Sequence, residues 1–347
     1  MTRVVTVVIP TLNEAARIGG LLAQLSRQPS EIVAEILVAD GGSTDATRAL
    51  VSAATVLDPR IRLIDNPERI QAAGVNRAVD AADARADTIV RIDAHAIYPD
   101  DYVPRIVEAF AATGAEMVAV RLDTRGVTCL QRGIAAASNS RIGSGGSAHR
   151  TGGRSSFVDH GHHAGMDRAT FTRIGGYDTR FDANEDAELD YRVRQVGGRV
   201  WLAADIEVIY FPRTTLAALF RQYYRYGRGR ARTFLKHGER LRVRQMLPPM
   251  MVAATIVAII LAPLVPALLI VPLVYALALA AAAVAMLRSL PQACTLLAAP
   301  AMATMHFAWG IGFVKTVVAA KLLGGNDTSP RRKATTTTGT SKQASGK

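Results

Sequence analysis

The sequence predicts an α/β domain followed by a cluster of apolar helices, and three observations carry that expectation. Short β-branched runs alternate with helix-length stretches over the first 210 residues, a later stretch of 42 residues holds no charge, and a narrow basic belt lies between them. The runs are residues 4–10, 35–40, 61–66, 88–94 and 116–122, most of them ending in polar, Pro or Gly residues. Helix-length stretches at 14–28, 44–54 and 71–82 separate them. Near-continuous apolar strands joined through helices read as a parallel sheet covered on both faces. Ligands of such sheets bind beyond the carboxyl ends of the strands, where the polar residues of this chain cluster.

The uncharged stretch, residues 246–287, is too long for one membrane span, and Pro263, Pro266 and Pro272 divide it. Two helices, 247–264 and 267–287, fit a hydrocarbon core about 30 Å thick. A third run, 293–314, contains His306 and Trp309 and ends near Lys315. Buried core helices of this kind would need a large soluble shell that the chain lacks. The expected organisation is therefore a catalytic-type α/β domain over 1–220, a basic amphipathic juxtamembrane segment over 221–245, a transmembrane region of about three helices over 246–320, and a disordered Ser/Thr/Lys-rich basic tail over 321–347.

The formal charge is +12, and its placement excludes one class of partner. Residues 1–220 hold 24 Arg against 27 acids, while residues 221–244 hold nine basic residues against Glu239 alone. A belt and a tail are not a nucleic-acid-binding face, so no nucleic-acid partner is expected. The belt precedes the first apolar helix, which places the first domain in the cytoplasm and the chain in the plasma membrane as a multi-pass protein. Three spans would put the basic tail outside, against that rule, so either one segment is re-entrant or the count differs. The apolar run at 4–10 is short and stops at Asn13 and Glu14, so no signal peptide is expected. Cys129 and Cys294 are the only cysteines; neither a disulfide scaffold nor a Cys-based zinc site is expected.

Four motifs carry candidate chemistry. The first strand runs into Thr11-Leu12-Asn13-Glu14, and the second ends in Asp40-Gly41-Gly42-Ser43-Thr44-Asp45. An acid at a strand end followed by glycines suits a base or ribose, and helix-start amides suit phosphate; Asn13, Ser43 and Asp45 also suit plain helix capping. The dinucleotide G-x-G-x-x-G and the phosphate-loop G-K-[ST] patterns are absent. The fourth strand ends in Arg91-Ile92-Asp93-Ala94-His95; on an extended chain Asp93 and His95 share one side and can reach one cation, the alternative being a carboxylate that makes a turn. Residues 182–190 pack five acids at the start of a helical stretch, either complementing its dipole or supplying a base for an acceptor hydroxyl.

Taken in this order, Pro10–Glu14, Asp40–Asp45, Asp93-x-His95 and Glu185-Asp186 make residues 4–235 resemble the family 2 glycosyltransferases of the GT-A fold, a Rossmann-like mixed sheet that handles nucleotide-diphospho-sugars. Arg91-Ile-Asp-Ala-His95, Gly175-Gly-Tyr-Asp178, Asn184-Glu-Asp186 and Gln222-Tyr-Tyr-Arg-Tyr-Gly-Arg228 look like landmarks of the succinoglycan-type exopolysaccharide glucosyltransferase branch. The resemblance implies that Asp40 faces the nucleotide base, with Pro10, Thr11, Asn13 and Glu14 around base and ribose and Arg69 at base or phosphate. It implies that Asp93 and His95 hold Mg²⁺ or Mn²⁺ on the diphosphate, and that Asp186 is the catalytic base. His95 stands where the family's D-x-D pattern has a second acid, and imidazole suits Mn²⁺ better than Mg²⁺.

The activity so implied is inverting transfer of a hexose, glucose first, from a UDP-sugar to a polyprenyl-diphosphate-linked saccharide in cell-surface polysaccharide synthesis. A polyprenyl-phosphate sugar synthase and a non-catalytic membrane-anchored nucleotide-binding or scaffold protein are the alternatives. A processive synthase is disfavoured, because Gln195-Val-Gly-Gly-Arg199-Val-Trp201 departs from Q-x-x-R-W spacing. His160-Gly161-His162-His163 fits no closed zinc site and is expected on the acceptor side or in a structural role. Residues 143–153 hold five glycines and form either a loop ordered by substrate or a plain surface loop. Residues 221–244 interleave Tyr with Arg as an interfacial helix on anionic lipid does, either as an anchor alone or also receiving the pyrophosphate of a lipid-linked acceptor.

Overall fold

The computed structural model describes residues 3–239 and 241–322. In chain order its elements are β1 (Val5–Thr11), α1 (Ala15–Ser26), β2 (Val33–Asp40), α2 (Thr47–Leu57), β3 (Ile61–Asp65), α3 (Gln71–Asp80), β4 (Thr88–Arg91), α4 (Tyr102–Thr113), β5 (Met117–Thr124) and α5 (Cys129–Ser138). There follow α6 (Ala148–Thr151), β6 (Ser156–Val158), β7 (His162–Asp167), α7 (Arg168–Arg173), α8 (Glu185–Gln195), β8 (Val200–Tyr210), α9 (Leu216–His237), α10 (Val243–Leu261), α11 (Ile270–Met286) and α12 (Ala298–Leu322).

The eight strands form one sheet in the order β3-β2-β1-β4-β7-β5-β8-β6. Its first half is parallel, as expected, but β7 runs antiparallel to both β4 and β5, and β6 antiparallel to β8. The sheet is therefore mixed, as the GT-A resemblance implies and as strand pattern alone does not. Alternation along β1 sends Val7 and Ile9 to the face covered by Ile18, Leu22, Ile106 and Phe110, while Val8 joins Val75, Phe171, Leu189 and Val193 on the other. All these side chains are buried, and truncating any of the larger ones to Ala costs about 2–5 kcal/mol. Gly165 lets β7 pass beneath α4, since a Cβ there would collide with Ile106 and Phe110.

The two layers so made put the β1–α1, β2–α2 and β4–α4 loops side by side at the carboxyl ends of parallel strands. The strand containing Arg91 stops at that residue, two positions short of Asp93, so the turn from Asp93 onward is not the extended chain expected from the sequence. Within the Gly-rich segment 143–153, turns lead into α6, and a Cβ on Gly143 would strike the Ala137 carbonyl.

The basic belt is mostly helix α9, which starts at Leu216 inside the expected first domain and is capped by Thr215 at one end and Gly238, in the left-handed region, at the other. Its charges turn largely inward. Arg228 and Arg232 pair with Asp182, Lys236 bridges Asp178 and Glu188, and Arg230 meets Glu239. Arg221 and Arg225 stay exposed. The belt is thus as much a clamp on the α/β domain as a lipid-facing surface.

Helix α12 lies along α9 at backbone contact: a Cβ on Gly227 would strike the Trp309 carbonyl, and one on Gly312 the Tyr224 carbonyl. Two helical segments, Pro266–Met286 and Ala293–Leu322, are long and apolar enough to cross a membrane, and Gln245–Leu261 is a shorter apolar helix. The shorter helix covers most of the first of the three expected segments, 247–264. Ile256, Val257, Ile259 and Ile260 on α10, and Leu273, Val274 and Leu277 on α11, are exposed. An apolar surface of that extent marks a membrane or partner contact. Contrary to expectation, Cys129 and Cys294 are joined as a disulfide, tying α5 to the short 3-10 turn Ala293–Leu297 that leads into α12. The pairing is tertiary: the two lie 165 residues apart in sequence. The expected tail falls outside the described residues from 323 onward.

Candidate active site

Two loops build one rim of the site by bonding to one another. Asn13, at φ 57°, accepts from the Thr44 amide at 2.8 Å and donates its own amide to Ser43 Oγ at 2.8 Å. The Asp45 carboxylate accepts from the Ala15 amide at 3.1 Å, at the start of α1, while the Glu14 amide donates to Thr47 Oγ1 at 2.8 Å. Asp45 thus takes the first amides of both helices, Ala15 of α1 and Thr47 of α2, while Asn13 and Ser43 bond the two loops to each other.

Thr11 is buried and its hydroxyl donates to the Ile9 carbonyl at 3.0 Å. Pro10 precedes it at the end of β1. Asp40 is enclosed in its own turn: its carboxylate accepts from the Gly42 and Ser43 amides, both at 3.0 Å, and from Arg48 Nη1 at 2.9 Å. Burial works to raise its pKa, and Ser43, Arg48 and Gly42 together hold it below the usual carboxylate range. Arg69, exposed and at φ 59°, lays its guanidinium over Gly42.

Arg91, the last residue of β4, organises the centre. Its side chain is 4% exposed; Nε donates to Asp93 Oδ1 at 3.2 Å, Nη1 donates to Asp186 Oδ1 at 2.9 Å, and Nη1 lies 3.7 Å from Glu185 Oε1. Burial opposes the guanidinium charge, but Asp93 and Asp186 outweigh it and hold the group charged. Tyr177 OH donates to the same Asp186 oxygen at 2.7 Å. His162, from β7, stands between the two acids, Nε2 3.8 Å from Asp93 Oδ2 and Nδ1 3.6 Å from Asp186 Oδ2.

The acids respond differently to this environment. Burial pushes Asp93 up, yet Arg91, His162 and His95 hold it below its ordinary value. Glu185, buried beside Asp186, is pushed up to about 7. Glu188 and Asp190 are buried: Glu188 meets Arg192, Lys236 and His237, and Asp190 accepts from the Gly161 amide and faces His160 at 3.0 Å.

His95 meets a second acid besides acting on Asp93. Its Nδ1 sits 3.2 Å from Glu14 Oε1, joining the β4 loop to the β1 loop. Among the described residues no three His, Cys, Asp or Glu side chains are grouped to hold a metal by themselves. Asp93 and His95 amount to one carboxylate and one imidazole, a donor set that suits a divalent cation taking its remaining ligands from a diphosphate and water.

Sequence reading singled out Asp93 and Asp186 but not the groups between them. His162 belongs to the run His160-Gly161-His162-His163 and opens β7, whereas His160 lies before that strand, so nothing local in the run singles out His162. Tyr177 and Glu185 lay within noticed motifs without an assigned part, and the bridging of Arg91 had no local signature.

An α/β sheet of this order with paired acids and capped loops along its carboxyl edge defines a GT-A domain. Residues 6–175 match the family described as Glycosyl transferase family 2. The succinoglycan biosynthesis protein ExoA of Rhizobium meliloti (strain 1021) is 45% identical over 307 residues, 88% of this chain and 93% of that protein. Glucosyl-3-phosphoglycerate synthase of Mycobacterium tuberculosis (strain ATCC 25618 / H37Rv) is 36% identical over 110 residues, 30% of this chain and 33% of that one. A solved structure, mannosyltransferase PcManGT from Pyrobaculum calidifontis in complex with GDP-Man and Mn²⁺, matches with a TM-score of 0.56 at 21% identity, over 91% of this chain and 87% of that one, a likeness of fold. The chain belongs to glycosyl transferase family 2, and it is a glycosyltransferase.

Proposed function

We propose that the chain is a membrane-bound, inverting hexosyltransferase of exopolysaccharide synthesis, moving a hexose, glucose first, from a UDP-sugar to a polyprenyl-diphosphate-linked saccharide. The observation that supports this most is the Asp93–Arg91–Asp186 chain at the sheet edge, in a protein 45% identical to ExoA over most of its length.

In this reading the nucleoside lies along Pro10, Thr11, Asn13 and Glu14, over the turn that Asp40 shapes, with Arg69 on base or phosphate. Asp93 and His95 would hold Mn²⁺ or Mg²⁺, which when bound neutralises charge on the departing diphosphate. Asp186 takes the proton of the acceptor hydroxyl as that oxygen forms its bond to the anomeric carbon; the bond to the diphosphate oxygen breaks on the opposite side and UDP leaves with the electron pair. One displacement inverts the anomeric centre. Arg91 and Tyr177 both engage Oδ1 of Asp186 and so fix the carboxylate plane, turning Oδ2 toward His162 and the space between the two acids.

The exposed apolar sides of α10 and α11 would lie in the plasma membrane, with the α/β domain in the cytoplasm and Arg221 and Arg225 at the anionic lipid surface. The test is transfer from a panel of UDP- and GDP-sugars by detergent-solubilised protein, with membrane lipid extract and Mn²⁺ or Mg²⁺. UDP release from one donor, lost in Asp186→Asn, is expected; UDP binding without turnover on any acceptor would favour a non-catalytic binding protein.

A further inference from the structure

A cavity of about 350 Å³ opens between β6, the turn before α6, the start of α8 and the connection from α9 to α10. One wall includes Ala187, the residue after Asp186; another is formed by Arg242 and Gln245 at the start of α10, the first apolar helix. Three guanidinium groups line it against two carboxylates. Arg194 and Arg230 share the single carboxylate of Glu239, at 3.1 and 2.8 Å on its two oxygens, and Arg242 pairs with Asp159. His160, on the remaining wall, is held by Asp190.

One carboxylate between two guanidiniums leaves a positive charge uncompensated, and Arg230 carries it with a side chain only 11% exposed. Burial pulls the Arg230 pKa below its ordinary value for this reason, and its Nε, like that of Arg194, has no acceptor among the described residues. A buried excess charge of this kind is costly unless an anion answers it. Guanidinium forks match phosphate oxygens in shape as well as charge.

We propose that this cavity binds a phosphate or diphosphate ester, and that the group it receives in turnover is the diphosphate of a lipid-linked acceptor. The second half rests on the function proposed above; the first does not. An acceptor held by its diphosphate here has its lipid beside α10 and its saccharide beside Asp186, which is the orientation transfer requires.

The test uses the full chain in detergent with UDP at saturation, so that the donor loops are filled, and titrates inorganic pyrophosphate by calorimetry. Pyrophosphate is expected to bind, and Arg230→Gln to weaken it about tenfold or more. Arg242→Gln, at the half-exposed rim, is expected to do the same and serves where Arg230→Gln fails to fold. No binding with UDP present, or equal affinity in variants that unfold at the wild-type temperature, overturns the site. Farnesyl diphosphate and farnesol then separate the sources: farnesyl diphosphate displacing pyrophosphate, with farnesol inert, supports the lipid-linked acceptor. Pyrophosphate binding that farnesyl diphosphate does not compete for overturns that assignment alone, while failure of UDP release in the donor panel would overturn glycosyl transfer and leave the anion site standing.

Discussion

Arg91 Nη1 donates to Asp186 Oδ1 at 2.9 Å, a bond that joins the end of β4 to the first turn of α8 across 95 residues of sequence. Through Arg91 Nε the same guanidinium reaches Asp93, so one buried cation positions both acids of the site.

Arg91→Gln therefore leaves three acids, Asp93, Glu185 and Asp186, facing one another without their counter-charge. Removing one partner from a buried ionic network costs about 3–5 kcal/mol. Urea unfolding of the soluble-domain signal is expected to show a loss of that order, with transfer reduced at least about a hundredfold; wild-type stability in the variant would mean that the network is not closed as described.

Glu185 sets a pH dependence of definite sign. Burial and the charge of Asp186 push it up to about 7 from the ordinary glutamate value of 4.5. A carboxyl raised on folding favours the folded state while protonated, so its contribution is full below about pH 4.5 and is lost as pH rises through about 7. Compared with Glu185→Gln, wild-type stability should decline across that window. Parallel stability curves for the two proteins from about pH 5 to 8 would contradict the assignment.

The seam between α9 and α12 has room for hydrogen only at Gly227 and Gly312. Gly312→Val must part the helices or bend one of them, a cost of about 1–3 kcal/mol or more. Because α9 also carries Arg228 and Lys236, which hold Asp182 and Asp178 just ahead of α8, the same change is expected to lower transfer without abolishing UDP binding. A drop in both, or in neither, would show that α9 does not connect the apolar helices to the acceptor side.

Peptide mapping of air-oxidised protein should recover Cys129 linked to Cys294. Under reducing conditions the pair is expected as thiols, and Cys129→Ser should then leave transfer at the wild-type level. Loss of transfer in that variant under reducing conditions would give the pair a part in holding α5 to the apolar helices.

Much of the first half of the fold was legible because β1 to β5 are β-branched runs that end in polar residues, the pattern a buried parallel strand requires. Strand β7 was not, since His162, Gly165 and Met166 have no β-strand periodicity and its place depends on pairing with two strands far away in sequence. That insertion is what delivers His162 between Asp93 and Asp186, so the missed strand and the missed residue are one omission. The basic belt looked lipid-facing for a related reason: its partners Asp178, Asp182 and Glu188 sit about 50 residues upstream, and local charge counting cannot see them. Asp40 is expected at the nucleotide base, and its own partners, Gly42, Ser43 and Arg48, follow from the geometry of one turn that the sequence pattern does not reveal.

The central claim is that Asp186 is the base of a metal-assisted transfer from a nucleotide sugar. It is tested most directly by UDP release in the presence of lipid acceptor and Mn²⁺ or Mg²⁺, comparing wild type with Asp186→Asn at equal UDP affinity. The account predicts metal-dependent release by the wild type and a loss of at least about a hundredfold in the variant. Equal release by the two proteins would contradict it.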